Sequence, residues 1–408
     1  MVYLIAKKTG HSFSPLIHRE FGRYEYGTKE LEEGELAEFF EKREFSGLNV
    51  TVPYKTTVMQ YLDEISPEAR AIGAVNTIVN KDGKLFGYNT DRYGFIFTLE
   101  HSGVEIIGKD VLIIGAGGAS KAVVSAFDEF SPRSVRVLRH SDNVPEKIGE
   151  YTDAQLIVNT SPVGMFPNAY VSPIDITMFK KAEAVFDIIF NPLNTQLLLD
   201  AKKIKLPVFN GLCMLVAQAK AGCELFSGEK VDESEIERIH TLIESEVSNI
   251  TLIGMPGCGK TSVGRYIAGK LGMKFVDTDE EIKSLGRTPA EIITADGEEE
   301  FRRIETEAVR KCGMMSGAVI ATGGGVVTRE RNYDPLSQNG VIIFIDRDIS
   351  LLATNGRPLS NGGIDRLKNL YESRIDAYRR FADYTVDGSK TINDVGERIL
   401  EIVKEIRG

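Results

Sequence analysis

The sequence predicts an α/β protein: an N-terminal two-lobed unit followed by a unit built on its own parallel sheet. Two observations carry that prediction. Two glycine-rich strand-to-helix turns, Gly115–Ala119 and Gly254–Thr261, lie far apart in the chain. Around them short β-branched runs alternate with helix-length stretches, the βαβ pattern of parallel sheets. A chain of 408 residues also exceeds what one ordinary core organises and fits two or three domains.

Taken in order, residues 1 to about 100 mix strands and helices, carry no nucleotide loop and end in the turn-rich Gly87-Tyr-Asn-Thr-Asp-Arg-Tyr-Gly94. They are expected to form a substrate-holding lobe. The runs Val111–Ile114, Val135–Leu138, Leu156–Asn159, Val185–Ile189 and Pro207–Phe209 then read as a doubly wound sheet, with a packing helix over Lys121–Phe127. Within 227–249, Ile236, Ile239, Leu242, Ile243 and Val247 share one helical face, with Ser234 as the expected cap. That helix leads through a linker near Ser248 and Asn249 into a strand at Ile250. The expected division is 1–247, of which 1–100 plus about 212–247 form the substrate lobe and 101–211 the dinucleotide lobe, then 248–408.

Composition narrows the function classes. A formal net charge of −10 disfavours nucleic acid as a partner, so positive charge for any anionic substrate must be concentrated inside clefts. No apolar run approaches the roughly 20 residues that cross a bilayer, and the opening MVYLIAKKTGH has too short a hydrophobic stretch for a signal peptide, so a cytoplasmic location is expected. Cys213, Cys223, Cys258 and Cys312 lack CxxC spacing, which suggests neither a disulfide framework nor a zinc site.

The second turn, Gly254-Met-Pro-Gly-Cys-Gly-Lys-Thr261, is a GxxxxGK plus Thr after a strand, a phosphate-binding P-loop. Its glycines let several N–H groups aim at one anion, Lys260 brings a point charge, and Thr261 a magnesium-ligating hydroxyl. Gly257, Cys258, Gly259, Lys260, Thr261 and Ser262 are the expected ATP contacts. The first turn, Gly115-Ala-Gly-Gly-Ala-Ser120, reads as a Rossmann-type dinucleotide loop with Ser120 at the last glycine position, so Gly115, Ala116, Gly117, Gly118 and Ala119 are expected at the cofactor. At the end of the next strand Arg139-His-Ser141 offers a guanidinium suited to a 2′-phosphate, favouring NADP, while Asp142 keeps NAD open.

With these residues in view, residues 1–245 resemble shikimate dehydrogenase. The matching stretches are His11-Ser-Phe-Ser-Pro15, Gly47-Leu-Asn-Val-Thr-Val-Pro-Tyr-Lys55, Gly73-Ala-Val-Asn-Thr77, Asn89-Thr-Asp91, Asn159-Thr-Ser-Pro-Val-Gly-Met165 and Gly211-Leu-Cys-Met-Leu-Val-Ala-Gln218. The resemblance implies that Ser12, Ser14, Thr51, Asn76 and Gln218 bind the substrate, that Lys55 and Asp91 form the catalytic pair, and that Gly211 lies at the cofactor. Read alone, Lys55 would be a surface charge. Where this family typically has Tyr near the substrate, the chain has Phe190.

From about residue 248 onward the chain resembles shikimate kinase, through the P-loop, Phe275-Val-Asp-Thr-Asp279, Gly297-Glu-Glu-Glu-Phe-Arg-Arg-Ile-Glu305, Gly323-Gly-Gly325, Arg357-Pro-Leu359, and Arg374 with Tyr378 and Ala382. The resemblance implies that Asp279, Arg302, Gly324 and Arg374 hold shikimate, that Asp279 also acts in catalysis by holding or deprotonating the attacking hydroxyl, that catalytic Lys260 and the lid residue Arg357 neutralise the ATP phosphates, and that Thr261 and Asp277 serve Mg2+. Without the loop, Asp277 and Asp279 could simply end a strand and cap a helix, and Arg302 could be an exposed partner of Glu305. Ser360 departs from the apolar residue usual after Arg-Pro-Leu.

Together the two resemblances imply a bifunctional enzyme of chorismate and aromatic amino acid synthesis that makes shikimate from 3-dehydroshikimate with NADPH and phosphorylates it with ATP. Its partners are small molecules, not nucleic acid or membrane, and homo-oligomerisation stays open. Two alternatives stand beside this reading: a regulatory protein built from degenerate copies of the domains, and a first unit that prefers quinate or NAD.

Overall fold

The computed structural model describes residues 1–10, 12–139, 147–352 and 363–407. The expectations on His11, His140, Ser141, Asp142, Arg357 and Ser360 lie outside the described residues. Backbone contacts divide the chain into one unit of Met1–Phe190 with Leu197–Ile243 and a second of Asn191–Gln196 with Glu244–Gly408.

The first unit carries two sheets. Strands β1 (Val2–Ala6), β2 (Tyr26–Glu30), β3 (Gly47–Val50), β4 (Glu64–Ile65), β5 (Thr77–Lys81) and β6 (Lys84–Tyr88) form a mixed sheet in the order β2-β1-β3-β5-β6-β4. Its β5–β6 pair is antiparallel, as a hairpin at Asp82-Gly83 requires, and β3–β5 is antiparallel as well. Strands β7 (Asp110–Ile114), β8 (Ser134–Leu138), β9 (Leu156–Asn159), β10 (Ala184–Asp187) and β11 (Val208–Phe209) form a fully parallel sheet in the order β11-β10-β9-β7-β8. Residues 110–114 and 156–159 are buried throughout, which is why they read as continuous apolar runs and not as alternating ones. The chain winds to opposite sides of β7, so a crevice opens at its C-terminal end, where Gly115 follows.

In the second unit β12 (Asn249–Ile253), β13 (Lys274–Asp277), β14 (Ala318–Ala321), β15 (Gly340–Asp346) and β16 (Tyr384–Asp387) run parallel in the order β13-β14-β12-β15-β16. The central strand β12 is wholly buried and delivers the P-loop between β14 and β15. Its core gathers Leu252, Ile267, Val309, Ile343, Phe344, Tyr378 and Ile399.

Three local readings need correction. Gly87–Gly94 is not one long turn: β6 runs through Tyr88 and a helix begins at Asp91. The helix after the first loop spans Gly118–Ala126, three residues earlier than expected, so the loop's last residues already belong to its first turn. The helix Ser234–Val247 buries Ile236, Ile239, Ile243 and Val247 as expected, but the carboxylate of Asp232 accepts from the Ser234 N–H at 2.9 Å and is the capping group. Ser248 alone separates that helix from β12. Among the described residues no helix is long and apolar enough to cross a membrane.

On the helix Ser14–Phe21, His18 is fully buried, stacked on Tyr26 with ring centroids 4.2 Å apart, and bonded through Nδ1 to the Tyr24 hydroxyl at 2.7 Å. Burial pushes its pKa down from 6.5 to about 3. Between these values the unfolded chain binds a proton that the folded chain refuses, so stability rises with pH across that window, by up to about 1.4 kcal/mol per pH unit for one proton. Denaturant midpoints of the full chain between pH 3 and 6.5 should therefore climb, and His18→Phe should flatten that climb for the first unit.

Candidate active sites

In the first unit the start of the helix Asp91–His101 sets a carboxylate into a polar network. Lys55 Nζ lies 2.6 Å from Asp91 Oδ2, with side chains 15% and 8% exposed. Asn76 Nδ2 donates to the other oxygen of Asp91 at 2.9 Å and to Thr90 Oγ1 at 2.9 Å, and its Oδ1 accepts from the Thr90 N–H at 2.8 Å. Gln218 joins through its Oε1, which accepts from Thr90 Oγ1 at 3.3 Å. It reaches the network because the helix Leu212–Ser227 crosses Asp91–His101 at Gly94, where a Cβ would stand 2.6 Å from the Met214 carbonyl. Only glycine permits that approach.

The dinucleotide loop faces this network. A Cβ at Gly118 would lie 3.5 Å from Lys55 Cβ. Gly115 has φ +107°, Ala116 and Gly117 are exposed, and Ala119 lies in the first helical turn. Ser120, at the position usually held by glycine, is buried and donates to the Gly115 carbonyl at 2.8 Å, so its hydroxyl closes the turn and does not obstruct it. The open glycine surface at a helix N-terminus fits a pyrophosphate. Arg139 follows β8 and is exposed; Gly211 is buried with its Cα face pressed on the Ile188 carbonyl, and its N–H donates to Ile189 O at 2.9 Å.

Ser12 and Ser14 stand side by side, their Oγ atoms 3.1 Å apart. Phe13 between them packs on Phe190 with centroids 5.4 Å apart, so the ring that replaces the expected tyrosine serves as an apolar wall. Thr51 directly follows β3, its N–H donating to Ile5 O at 3.2 Å.

In the second unit the P-loop turns through positive φ at Gly254, Gly257 and Gly259. Lys260 is buried and donates to the carbonyls of Gly254 and Met255 at 2.8 and 3.0 Å, with Cys258 Sγ at 3.8 Å; Ser262 is exposed on the helix Lys260–Leu271. Thr261 Oγ1 donates to Asp277 Oδ2 at 2.8 Å, while Asp277 Oδ1 caps the next helix by accepting from the Asp279 N–H at 3.0 Å. Asp277 thus does end a strand and cap a helix, and touches the P-loop as well. One hydroxyl and one carboxylate, both hard oxygen donors and too few to cage an ion by themselves, fit the coordination of magnesium, which keeps water and phosphate oxygens as its other ligands.

Beside the loop a second set of charges surrounds the glycine triplet. A Cβ at Gly323 would stand 2.9 Å from Asp279 Oδ1 and 3.0 Å from Glu305 Oε1, and one at Gly325 would collide with the Arg302 guanidinium. Arg302 is buried, its Nη1 2.8 Å from the equally buried Glu305 and its Nη2 3.0 Å from Glu298. Burial pushes the Glu305 carboxyl up against the pull of Arg302. Arg374 Nη1 donates to the Gly324 carbonyl at 3.0 Å, and the Tyr378 hydroxyl donates to the same oxygen. The reading of Arg302 and Glu305 as an exposed pair fails, because the helix Glu298–Gly313 turns that face inward. Thr90 is a network member the sequence did not single out, and the sequence offered Glu305 only as an exposed partner of Arg302, although both lie inside the quoted motifs.

Family models match at residues 4–78, a shikimate dehydrogenase substrate binding domain, and at residues 256–406, a shikimate kinase. The chain is 38% identical over 259 residues to a shikimate dehydrogenase (NADP(+)) of Clostridium perfringens, covering 58% of this chain and 96% of that protein. Among solved structures, shikimate dehydrogenase 1 of Peptoclostridium difficile superposes with a TM-score of 0.55 at 31% identity, covering 59% of this chain and 96% of its own. The shikimate 5-dehydrogenase of Thermus thermophilus in complex with NADP(H) and shikimate gives 0.53 at 31%, covering 59% and 97%. In its first part, therefore, the chain belongs to the shikimate dehydrogenase family, and it continues into a shikimate kinase domain as a fusion of the two.

Proposed function

We propose that the chain catalyses two successive reactions: reduction of 3-dehydroshikimate to shikimate with NADPH, then transfer of the ATP γ-phosphoryl group to shikimate. The observation that carries this reading is that in each unit a fixed set of cations and carboxylates stands beside a nucleotide loop. The four cysteines, all free thiols, accord with a cytoplasmic setting.

When bound, NADP supplies the hydride chemistry of the first site, and magnesium-bound ATP the phosphoryl group of the second. In the first unit Lys55 donates a proton to the substrate oxygen as it becomes an alcohol, and recovers it in the reverse direction. Asp91 orients the ammonium, and its second oxygen is pinned by Asn76, so the carboxylate cannot rotate away. Ser12, Ser14, Thr51 and Gln218 hold hydroxyls and carboxylate of the substrate; Phe190 supplies packing only. In the second unit Lys260 and the loop N–H groups, together with Ser262, bind phosphates, and Thr261 and Asp277 would hold the metal. Arg302 and Arg374 grip the substrate carboxylate, and Asp279 holds the attacking hydroxyl or takes its proton. Glu305 keeps Arg302 aimed at the triplet.

Purified full chain assayed with shikimate plus NADP, and separately with shikimate plus ATP, tests the reading; absence of either turnover overturns it. Lys55→Ala should cost the first activity about 10²- to 10⁴-fold and spare the second, and Lys260→Ala the reverse. Phe190→Tyr should raise dehydrogenase kcat/KM a few-fold, the effect of about 1 kcal/mol from one restored hydrogen bond. Gly325→Ala should displace Arg302 and raise the kinase KM for shikimate without altering reduction of 3-dehydroshikimate.

A further inference from the structure

The central strand of the second unit has two flanks, and the acceptor machinery occupies one of them. Asp279, Arg302, Glu305 and the glycine triplet all stand at the ends of β13 and β14. On the opposite flank β15 pairs with β12 in the register Ile253↔Phe344, so the residue after β15 comes level with the P-loop. That residue is Arg347.

Its guanidinium is both close to the loop and held in place. Arg347 Nη1 lies 4.0 Å from the position a Cβ would take at Gly259, the residue that opens the phosphate-binding helix. Nε donates to the Leu351 carbonyl at 3.1 Å, which anchors the guanidinium with Nη1 toward the loop. The stem packs on Gly388, where a Cβ would stand 3.1 Å from Arg347 Cβ, so the turn after β16 closes over the aliphatic part. Two further bonds tie these turns together: the Gly388 N–H to Asp346 O at 2.7 Å, and the Asp348 N–H to Ser389 Oγ at 3.3 Å. A half-buried arginine anchored through Nε at the C-terminal edge of a parallel sheet presents a planar donor pair to whatever the P-loop holds.

We propose that Arg347 binds the nucleotide, pairing with the phosphate nearest the nucleoside. This rests on the kinase reading above. With the acceptor on the β14 side, the γ-phosphoryl must point there, so the α-phosphate and nucleoside leave the loop on the β15 side, where Arg347 stands. Its role is binding and orientation of the donor, distinct from that of Lys260 within the loop.

The test uses the full chain with Arg347→Gln and Arg347→Lys, measuring the KM for ATP, the KM for shikimate and the Kd of Mg-ADP by calorimetry. Arg347→Gln should raise the ATP KM and the ADP Kd by about tenfold, as loss of one charge-assisted contact predicts, with the shikimate KM unchanged within twofold. Arg347→Lys, which retains the charge, should recover most of that loss. An unchanged ATP KM and ADP Kd in Arg347→Gln, equal losses in both variants, or a parallel rise in the shikimate KM would each overturn the proposal. Absence of phosphoryl transfer by the unaltered chain would instead sink the kinase reading, and the ADP titration would still report on Arg347.

Discussion

Each site depends on a cation held partly or wholly out of water by a carboxylate. Withdrawing an ammonium or guanidinium from solvent costs several kcal/mol unless a counter-charge and further hydrogen bonds replace the lost hydration. Asp91 does this for Lys55, and Glu305 for Arg302. Each carboxylate is itself oriented: Asp91 by Asn76, Glu305 by burial against the glycine triplet. The cations are therefore held in fixed positions beside the nucleotide loop of one unit and the glycine triplet of the other, although the chain as a whole is negative.

The second constraint is steric. Both networks need backbone where a side chain would otherwise stand. Gly94 allows two helices to cross closely enough for Gln218 to reach the Asn76–Thr90 pair, and Gly325 leaves the space that the Arg302 guanidinium fills. Charge placement and close approach are thus one problem: the donor can be aimed only because the opposing chain carries no Cβ.

Much of this was legible in the sequence. Strands β7, β9 and β10 announce themselves because both faces of a parallel sheet are buried there, which turns them into largely apolar runs, and the P-loop carries its own strand and helix. The mixed sheet was less legible: β2 is an edge strand of Tyr, Gly, Thr, Lys and Glu, and β4 has two residues, too few for any period to register. Asp91 was read inside a turn because Gly87, Asn89 and Gly94 dominate the local signal, whereas packing against Leu212–Ser227 makes that stretch a helix. Arg302 and Glu305 at i and i+3 look like any solvated pair; only the burial of that helical face distinguishes them. Arg347 gave no signal at all, since its proximity to Gly259 arises from register between two strands far apart in sequence.

Asp277 ends β13, caps the following helix and accepts from Thr261. Such a position has almost no freedom to vary. Asparagine would preserve the cap and surrender the negative charge, glutamate would keep the charge on an arm too long for the cap, and serine would shorten the reach to the P-loop. Drift at this site is therefore coupled to three unrelated demands at once, so an exchange harmless to the strand and the cap would still disturb the contact with the P-loop threonine.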